Sequence, residues 1–407
     1  MKLIEGGITA AKGFKASGVE AGIKYKGRAD LALVFSEKPC VVAGTFTSNA
    51  VKAAPVLWDM DIVRNSDYVQ ALVVNSGIAN ACTSKQGLDA CEKTAEKAAE
   101  LLNIKKESVL VGSTGVIGWQ LPLEKLLAGI EKAAPLLSDS VKAGHDAERA
   151  IMTTDTLPKE VAVTVDINGT PVTVGGMSKG SGMIHPNMCT MLAYVSTDAN
   201  ITKEMLTEIV KNDVKDTFNM ISVDGDTSTN DTYLVMANGM AGNELIDKEN
   251  DSYFKLKEAI HYISETLAKK MAADGEGASA LFTAHVFNAD TKQNARVLAR
   301  SVISSSLSKA AIYGHDSNFG RFLCALGYSG VKFDPDTVSL SYRSEAGELK
   351  VFENGLMLDY PEDEAGRILS CKEVTVDIDM HMGSEEACAW GCDLTEEYVR
   401  INSDYRS

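Results

Sequence analysis

The chain has 407 residues, 40 Lys+Arg against 56 Asp+Glu and a formal net charge of −16. That length predicts roughly two or three domains, and 45% hydrophobic with 24% charged residues is a globular balance that supports a large core and argues against disorder. An acidic balance without a Lys/Arg-rich run excludes nucleic acid or an anionic membrane as the main partner. No apolar run approaches the roughly 18 residues of a membrane span, and the start MKLIEGGITAAKGFK lacks the apolar stretch of an export signal, so a cytoplasmic protein is expected.

Strands and helices interleave. YVQALVVN at 68–75 reads as a buried strand that runs into the small-residue loop SGIANACTSKQG. Leu88, Cys91, Ala95, Ala98 and Leu102 then recur at spacings of three and four, which predicts a helix with that stripe inward. ESVLVGSTGVIGWQLP is an apolar strand ending in a glycine-punctuated loop. EVAVTVDINGTPVTV at 160–174 alternates around Asn168-Gly169, a pair suited to the two positive φ angles of a type I′ hairpin turn. TMLAYVST, from Thr190 onward, reads as a central strand. A long helix is predicted over 253–271, with Leu256, Ile260, Ile263, Leu267 and Met271 on one stripe. Beyond about residue 285 the pattern restarts with HVFNA, a helical SVISSSLSKAAIYG and short β segments, which predicts a C-terminal domain.

The cysteines Cys40, Cys82, Cys91, Cys189, Cys324, Cys371, Cys388 and Cys392 are scattered. Cys388 and Cys392 lack the second pair that a zinc site needs, so reduced and mostly buried thiols are expected.

Four loops rich in glycine and hydroxyls follow apolar strands: GSTGVIG at 112–118, GGMSKGSGMIHPNMCTMLAYVST at 175–197, SVDGDTSTND at 222–231 and DGEGAS at 274–279. Such loops bring backbone N–H groups close to a ligand, or simply turn the chain. None has the phosphate-binding pattern G-x-x-x-x-G-K-[ST], and no G-x-G-x-x-G opens a βαβ unit. Asp224, Asp226, Ser228 and Asn230 alternate as a calcium loop begins, but the required glycine and glutamate are missing, which leaves a structural turn. No H-E-x-x-H occurs, and His185, the one histidine beside a candidate loop, reads as structural. Thr190 remains. It lies where a glycine-rich loop meets an apolar strand, and a threonine becomes a nucleophile when chain cleavage frees its own amine as the base. Such an amine titrates near pH 7.7–8.0, close to working pH. A strand-initial threonine is otherwise simply a β-former.

The long motifs GGITAAKGFKASGVEAGIK, GTFTSNAVKAAPV, VVNSGIANACT, GSTGVIG, KGSGMIHPNMCTMLA, SVDGDTSTNDT, DGEGAS, KAAIYGHDSNFGR and AWGCDLTEEYVRINSDYRS stand in order along the whole chain. In these the chain resembles the ornithine acetyltransferase family, bifunctional arginine-biosynthesis enzymes also called glutamate N-acetyltransferases. The resemblance implies an αββα sandwich, layered like N-terminal-nucleophile hydrolases but differently connected, plus a smaller C-terminal α/β domain. It implies self-cleavage between Cys189 and Thr190, giving an α chain of 1–189 and a β chain in which 190–284 completes the sandwich and 285–407 forms the C-terminal domain.

Thr190 is then the acetyl acceptor, Thr114 and Gly115 match oxyanion-hole positions, and Thr154, Lys179, Thr190, Glu276, Asn402 and Ser407 match substrate-binding positions. Expected substrates are N-acetylornithine and glutamate, with no metal or organic cofactor, and acetyl-coenzyme A stays open as a second donor. Two α and two β chains form the expected assembly. Lys179 is expected to hold the donor's carboxylate and Glu276 its ammonium, each as a lone charge in a small-residue loop. An amidase or aminopeptidase with water as acceptor is the alternative on the same acyl-enzyme chemistry. The chain departs from the family pattern at Cys189, where alanine is usual, at Ile78 in place of asparagine, and at Ser279-Ala280 in place of threonine-lysine.

Overall fold

The structure, a computed structural model, describes residues 1–185 and 191–404. These form two compact units, one of residues 1–180, 191–218 and 227–267, the other of 181–185, 219–226 and 268–404. In chain order the elements begin with β1 (Lys2–Ile4), β2 (Phe14–Val19), β3 (Leu31–Phe46), α1 (Ala54–Asn65), β4 (Val69–Asn75), α2 (Ser84–Leu102), β5 (Val109–Ser113), α3 (Leu123–Ala133) and α4 (Val141–Ile151). There follow β6 (Lys159–Ile167), β7 (Thr170–Lys179), β8 (Leu192–Thr197), α5 (Lys203–Asp213), β9 (Ile221–Ser222), β10 (Thr232–Ala237) and α6 (Asp251–Ala273). The last are β11 (Leu281–Ala289), α7 (Lys292–Ser304), α8 (Ser306–Tyr313), α9 (Phe319–Gly327), β12 (Ser339–Ser344), β13 (Gly347–Glu353), β14 (Leu356–Met357), α10 (Glu362–Leu369), β15 (Glu373–Asp379), β16 (Glu385–Cys392) and α11 (Glu396–Ser403).

In the first unit the strands run in the order β1-β6-β7-β8-β10-β3-β4-β5, with β2 also paired to β3. The long β3 belongs to two sheets, its first half pairing with β2 and β4 and its second half with β10. Side chains alternate across a strand, so each sheet has two faces to bury. Ala32, Val34, Leu72, Val74 and Leu110 pack with Met177, Leu192, Tyr194, Leu234 and Met236 of the facing sheet. Their neighbours Leu31, Leu33, Ala71, Val73, Val109 and Val111 turn the other way, onto Cys91, Ala95 and Ala98 of α2 and Leu126 and Ile130 of α3. On the far side of the facing sheet Tyr233 lies 4.9 Å from Phe218 and hydrogen-bonds Ser264 of α6, while Gly176 leaves room for Ile263 and Leu267. Helix, sheet, sheet and helix therefore stack as the expected αββα sandwich.

The second unit carries a seven-stranded sheet in the order β14-β13-β12-β15-β11-β16-β9. Helix α7 packs on β11 and β16, and α10 on β12 and β13. Its composition of strands and helices agrees with an α/β reading of the C-terminal region.

Several expectations hold in detail. Asn168 and Gly169 have φ of 52° and 83°, the positive pair the hairpin needs. All five residues of the stripe on α6 are fully buried, and β8 is buried along its length between β7 and β10. Others need correction. Leu88 is exposed, because α2 turns Gly87, Ala90, Cys91, Thr94, Ala95, Ala98 and Ala99 inward, a stripe of smaller residues that lets the helix approach the sheet. The helical segment 301–314 is two helices, divided at Ser305, whose hydroxyl accepts the Ser308 N–H and caps α8. Among the described cysteines only Cys40, Cys91 and Cys392 are buried; Cys82 and Cys324 are exposed and Cys371 and Cys388 half-buried. Cys82 sits in a loop at φ 56°, exposed between the buried Ala81 and Thr83.

Candidate functional site

Strand β5 lies at the edge of its sheet, and α1 satisfies its outward backbone. Trp58 Nε1 donates to the Val109 carbonyl at 3.0 Å, and the Val111 N–H donates to Asp59 at 2.8 Å. Thus fixed, β5 ends at Ser113 and presents Thr114 and Gly115. The Thr114 N–H donates to the Asn75 carbonyl at 3.0 Å and Ser113 Oγ to Asn75 Oδ1 at 2.7 Å. Gly115 has φ of 128°, and a Cβ there would stand 2.2 Å from the Gly77 carbonyl carbon, so only glycine fits this approach. Asn230 Nδ2 donates to the carbonyls of Ala79 at 2.6 Å and Ser113 at 2.8 Å, tying the SVDGDTSTND loop to the other two. Ile78 is buried and its carbonyl accepts from Asn75 Nδ2, so its apolar side chain serves the core beneath α2. Among the described residues neither the Gly115 N–H nor the Thr114 hydroxyl proton has an acceptor. Two adjacent donors of this kind suit a developing oxyanion.

Lys179 ends β7, is 7% exposed, and its Nζ donates to Thr114 Oγ1 at 3.3 Å. Asp155 Oδ2 lies 4.0 Å from the same ammonium, and Asp155 Oδ1 pairs with Lys159 at 2.7 Å, with both the Asp155 and Lys159 side chains fully buried. The Asp155 carboxylate also accepts the N–H of Thr153 at 3.0 Å and of Gly180 at 2.6 Å. Burial alone would push its carboxyl up; the charges of Lys179 and Lys159 and these hydrogen bonds overcome that and hold it well below the usual carboxylate range. Thr154 is half-buried between Thr153 and Asp155. Close by, Glu148 accepts the Lys159 N–H at 2.8 Å, and burial pushes its carboxyl up to about 8. The expectation of Lys179 as a lone loop charge is thus corrected: it is a buried strand-end lysine beside a carboxylate.

Glu276 and Asn402 lie in the second unit. The Glu276 carboxylate accepts from Asn402 Nδ2 at 2.7 Å, and its N–H donates to the Ser181 carbonyl at 2.8 Å. A Cβ on Gly182 would stand 2.3 Å from the Glu276 carboxyl carbon, which explains the glycine there. Glu276 is 6% exposed, so it too is no lone loop charge. Asp224 acts as the structural turn expected of it, accepting the N–H groups of Met183 at 2.6 Å, Ile184 at 2.9 Å and Asp226 at 3.1 Å. His185 meets Ser222 Oγ and Arg300 Nη2, each at 3.0 Å; burial, with the Arg300 charge, lowers its pKa to about 4, so it is neutral and structural. Ser279 gives its N–H to Asp393 at 2.8 Å. A polar cleft of about 400 Å³ on the sheet, lined by His285, Arg343 and Asp377 among others, contains none of the residues singled out in the sequence.

The structure therefore joins Thr114, Gly115, Lys179 and the Thr154 segment in the first unit, and Glu276 with Asn402 in the second. Cys189, Thr190 and Ser407 lie outside the described residues. Asn75 and Gly77, in VVNSGIANACT, and Asp155, outside the long motifs, escaped the sequence reading, and Asn230 was read there only as part of a turn. The contacts that tie them to the site span 38 positions for Asn75–Ser113, 151 for Asn230–Ala79 and 25 for Asp155–Gly180, separations at which spacing carries no signal.

The chain matches the ArgJ family over residues 15–407. Arginine biosynthesis bifunctional protein ArgJ of Thermotoga neapolitana is 52% identical over 397 residues, covering 97% of this chain and 99% of the relative. Its namesake from Caldanaerobacter subterraneus subsp. tengcongensis is 49% identical over 407 residues, 100% of both chains. Among solved structures, ornithine acetyltransferase of Mycobacterium tuberculosis, complexed with ornithine, is 44% identical with a TM-score of 0.44, covering 46% of this chain and 98% of that one.

Proposed function

The chain belongs to the ArgJ family of arginine-biosynthesis acetyltransferases, and on that premise we propose that it moves the acetyl group of N2-acetylornithine to glutamate through an acetyl ester on Thr190. Self-cleavage between Cys189 and Thr190 frees the amine that serves as base. Thr190 Oγ attacks the acetyl carbonyl as its proton passes to that amine, and collapse of the tetrahedral adduct expels ornithine, whose nitrogen takes the proton back. The amine of glutamate then attacks the ester, and the reverse sequence releases N-acetylglutamate and free Thr190. Two α and two β chains make up the working assembly.

The observation that carries this reading is the pair of donors at Thr114 and Gly115, held by Asn75, Gly77 and Asn230 on a rigid strand end. Acyl transfer passes through an oxyanion, and one such donor contributes about 2.7–4 kcal/mol to its stabilisation. The resemblance adds Thr154, Lys179, Glu276, Asn402 and Ser407 as substrate-binding residues, with Glu276 suited to the donor's ammonium. Its carboxylate is already oriented by Asn402.

Acetyl transfer tests the reading. Purified protein given N-acetylornithine and glutamate should form N-acetylglutamate and ornithine in equal amounts, with little free acetate. Stoichiometric acetate without N-acetylglutamate would instead identify an amidase with water as acceptor.

A further inference from the structure

We infer that Lys179 promotes acetyl transfer through Thr114: it hydrogen-bonds the Thr114 hydroxyl so that the hydroxyl's one proton serves the oxyanion. This assignment deepens the proposed function and rests on it. It adds a positioning role to the place in the substrate site that the resemblance gives Lys179.

The chemistry of the two groups fixes the direction of the contact. An ammonium only donates, whereas a hydroxyl has one proton and two lone pairs. Across the 3.3 Å between Lys179 Nζ and Thr114 Oγ1, Thr114 is therefore the acceptor. Its own proton is left to point elsewhere. The Thr114 N–H cannot take that part, because it is engaged with the Asn75 carbonyl at 3.0 Å. A hydroxyl that accepts from a cation is polarised and becomes a stronger donor, and a surrounding of low dielectric increases the effect. Here the Lys179 side chain is 9% exposed.

Asp155 makes the arrangement rigid. Its carboxylate accepts the N–H of Gly180, the residue after Lys179, at 2.6 Å, and lies 4.0 Å from the Lys179 ammonium. Lys159 Nζ at 2.7 Å and the Thr153 N–H at 3.0 Å hold the same carboxylate. Asp155 thus fixes both the backbone and the charge of Lys179 and leaves the ammonium close to Thr114.

A double-mutant cycle decides the matter. Lys179→Met, Thr114→Ala and the double variant are prepared as full chains, their cleavage is read by intact mass, and active sites are counted by the acetyl-enzyme burst. The expected loss for Lys179→Met is about 10- to 100-fold in kcat, below the full loss of an oxyanion donor, whatever change in KM accompanies it. In the Thr114→Ala background the same substitution should cost less than about twofold more. Lys179→Arg, which keeps a donor, should recover most of kcat. A rise in KM of about tenfold at unchanged kcat, or fully additive losses, overturns the assignment. If Lys179→Met leaves the precursor whole, cleavage rates replace kcat: an equal defect in Thr114→Ala supports the assignment, and a normally cleaving Thr114→Ala overturns it. A wild-type chain that never acquires an acetyl group is a different result, which removes the proposed function itself.

Discussion

A β-carbon on Gly115 would stand 2.2 Å from the carbonyl carbon of Gly77, and that contact sets the shape of the loop that carries Thr114. The φ of 128° at Gly115 adds backbone strain for any other residue. Gly115→Ala should therefore displace the Gly115 N–H and lower kcat by about 100-fold or more, the loss typical of one oxyanion donor. Gly118 provides the control. Its φ is 88°, but nothing lies within 4 Å of a Cβ there, so Gly118→Ala should cost stability and leave kcat within a few-fold of wild type. Equal kcat for the two variants would contradict the role given to the Gly77 contact.

Asn230 joins two loops through one amide. Replacing it with alanine leaves the buried carbonyls of Ala79 and Ser113 without its Nδ2. Each buried acceptor left without a partner costs about 1–3 kcal/mol. Thermal unfolding of Asn230→Ala should show a clearly lower Tm, and kcat should fall with it because the Ser113–Thr114 strand end is loosened. A variant with normal Tm and kcat would show that Asn75 and Gly77 hold the loop unaided.

Asp155 predicts acid sensitivity. Its carboxyl is held below the usual range in the fold, so it contributes stability above its unfolded pKa of about 3.9 and loses that contribution as pH falls through the lower, folded value. Asp155→Asn should accordingly unfold at a lower Tm than wild type at pH 7, with the difference shrinking as the solution is made strongly acidic. A difference in Tm that stays constant with pH would argue against an ionised Asp155 between the two lysines.

Glu148 predicts the reverse slope. Its pKa is raised to about 8 in the fold, whereas an unfolded glutamate titrates near 4.3. The fold then holds a proton that the unfolded chain releases, so this contribution is fully present below about pH 4.3 and declines as pH rises to about 8. Glu148→Gln carries no such proton and should raise Tm at pH 8 relative to wild type, with little gain at pH 4. Unfolding scans at those two values check the sign.

Periodicity made much of the scaffold legible. Alternation around Asn168-Gly169 and the stripe from Leu256 to Met271 are local patterns, and both appear in the structure as read. On α2 the stripe holds at Cys91, Ala95 and Ala98 but not at Leu88, because a helix that packs closely turns small residues inward, and hydrophobicity alone favours Leu88 over Gly87 and Ala90. Thr114 and Gly115 were visible through the resemblance and its long motifs. What surrounds them was not. That Lys179 would be buried, and would meet Thr114 and Asp155, depends on β7 ending beside the loop after β5, a tertiary fact written in no spacing along the chain.

Intact mass spectrometry of the purified protein, alone and after brief exposure to N-acetylornithine, decides whether Thr190 is freed by cleavage and carries the acetyl group. Two chains, 1–189 and 190–407, are expected, with an acetyl group appearing on the second after exposure and disappearing when glutamate is added. Thr190→Ala should give a single full-length chain that takes no acetyl group. A wild-type protein that stays in one piece, or a cut protein whose second chain never gains an acetyl group, would contradict this role of Thr190.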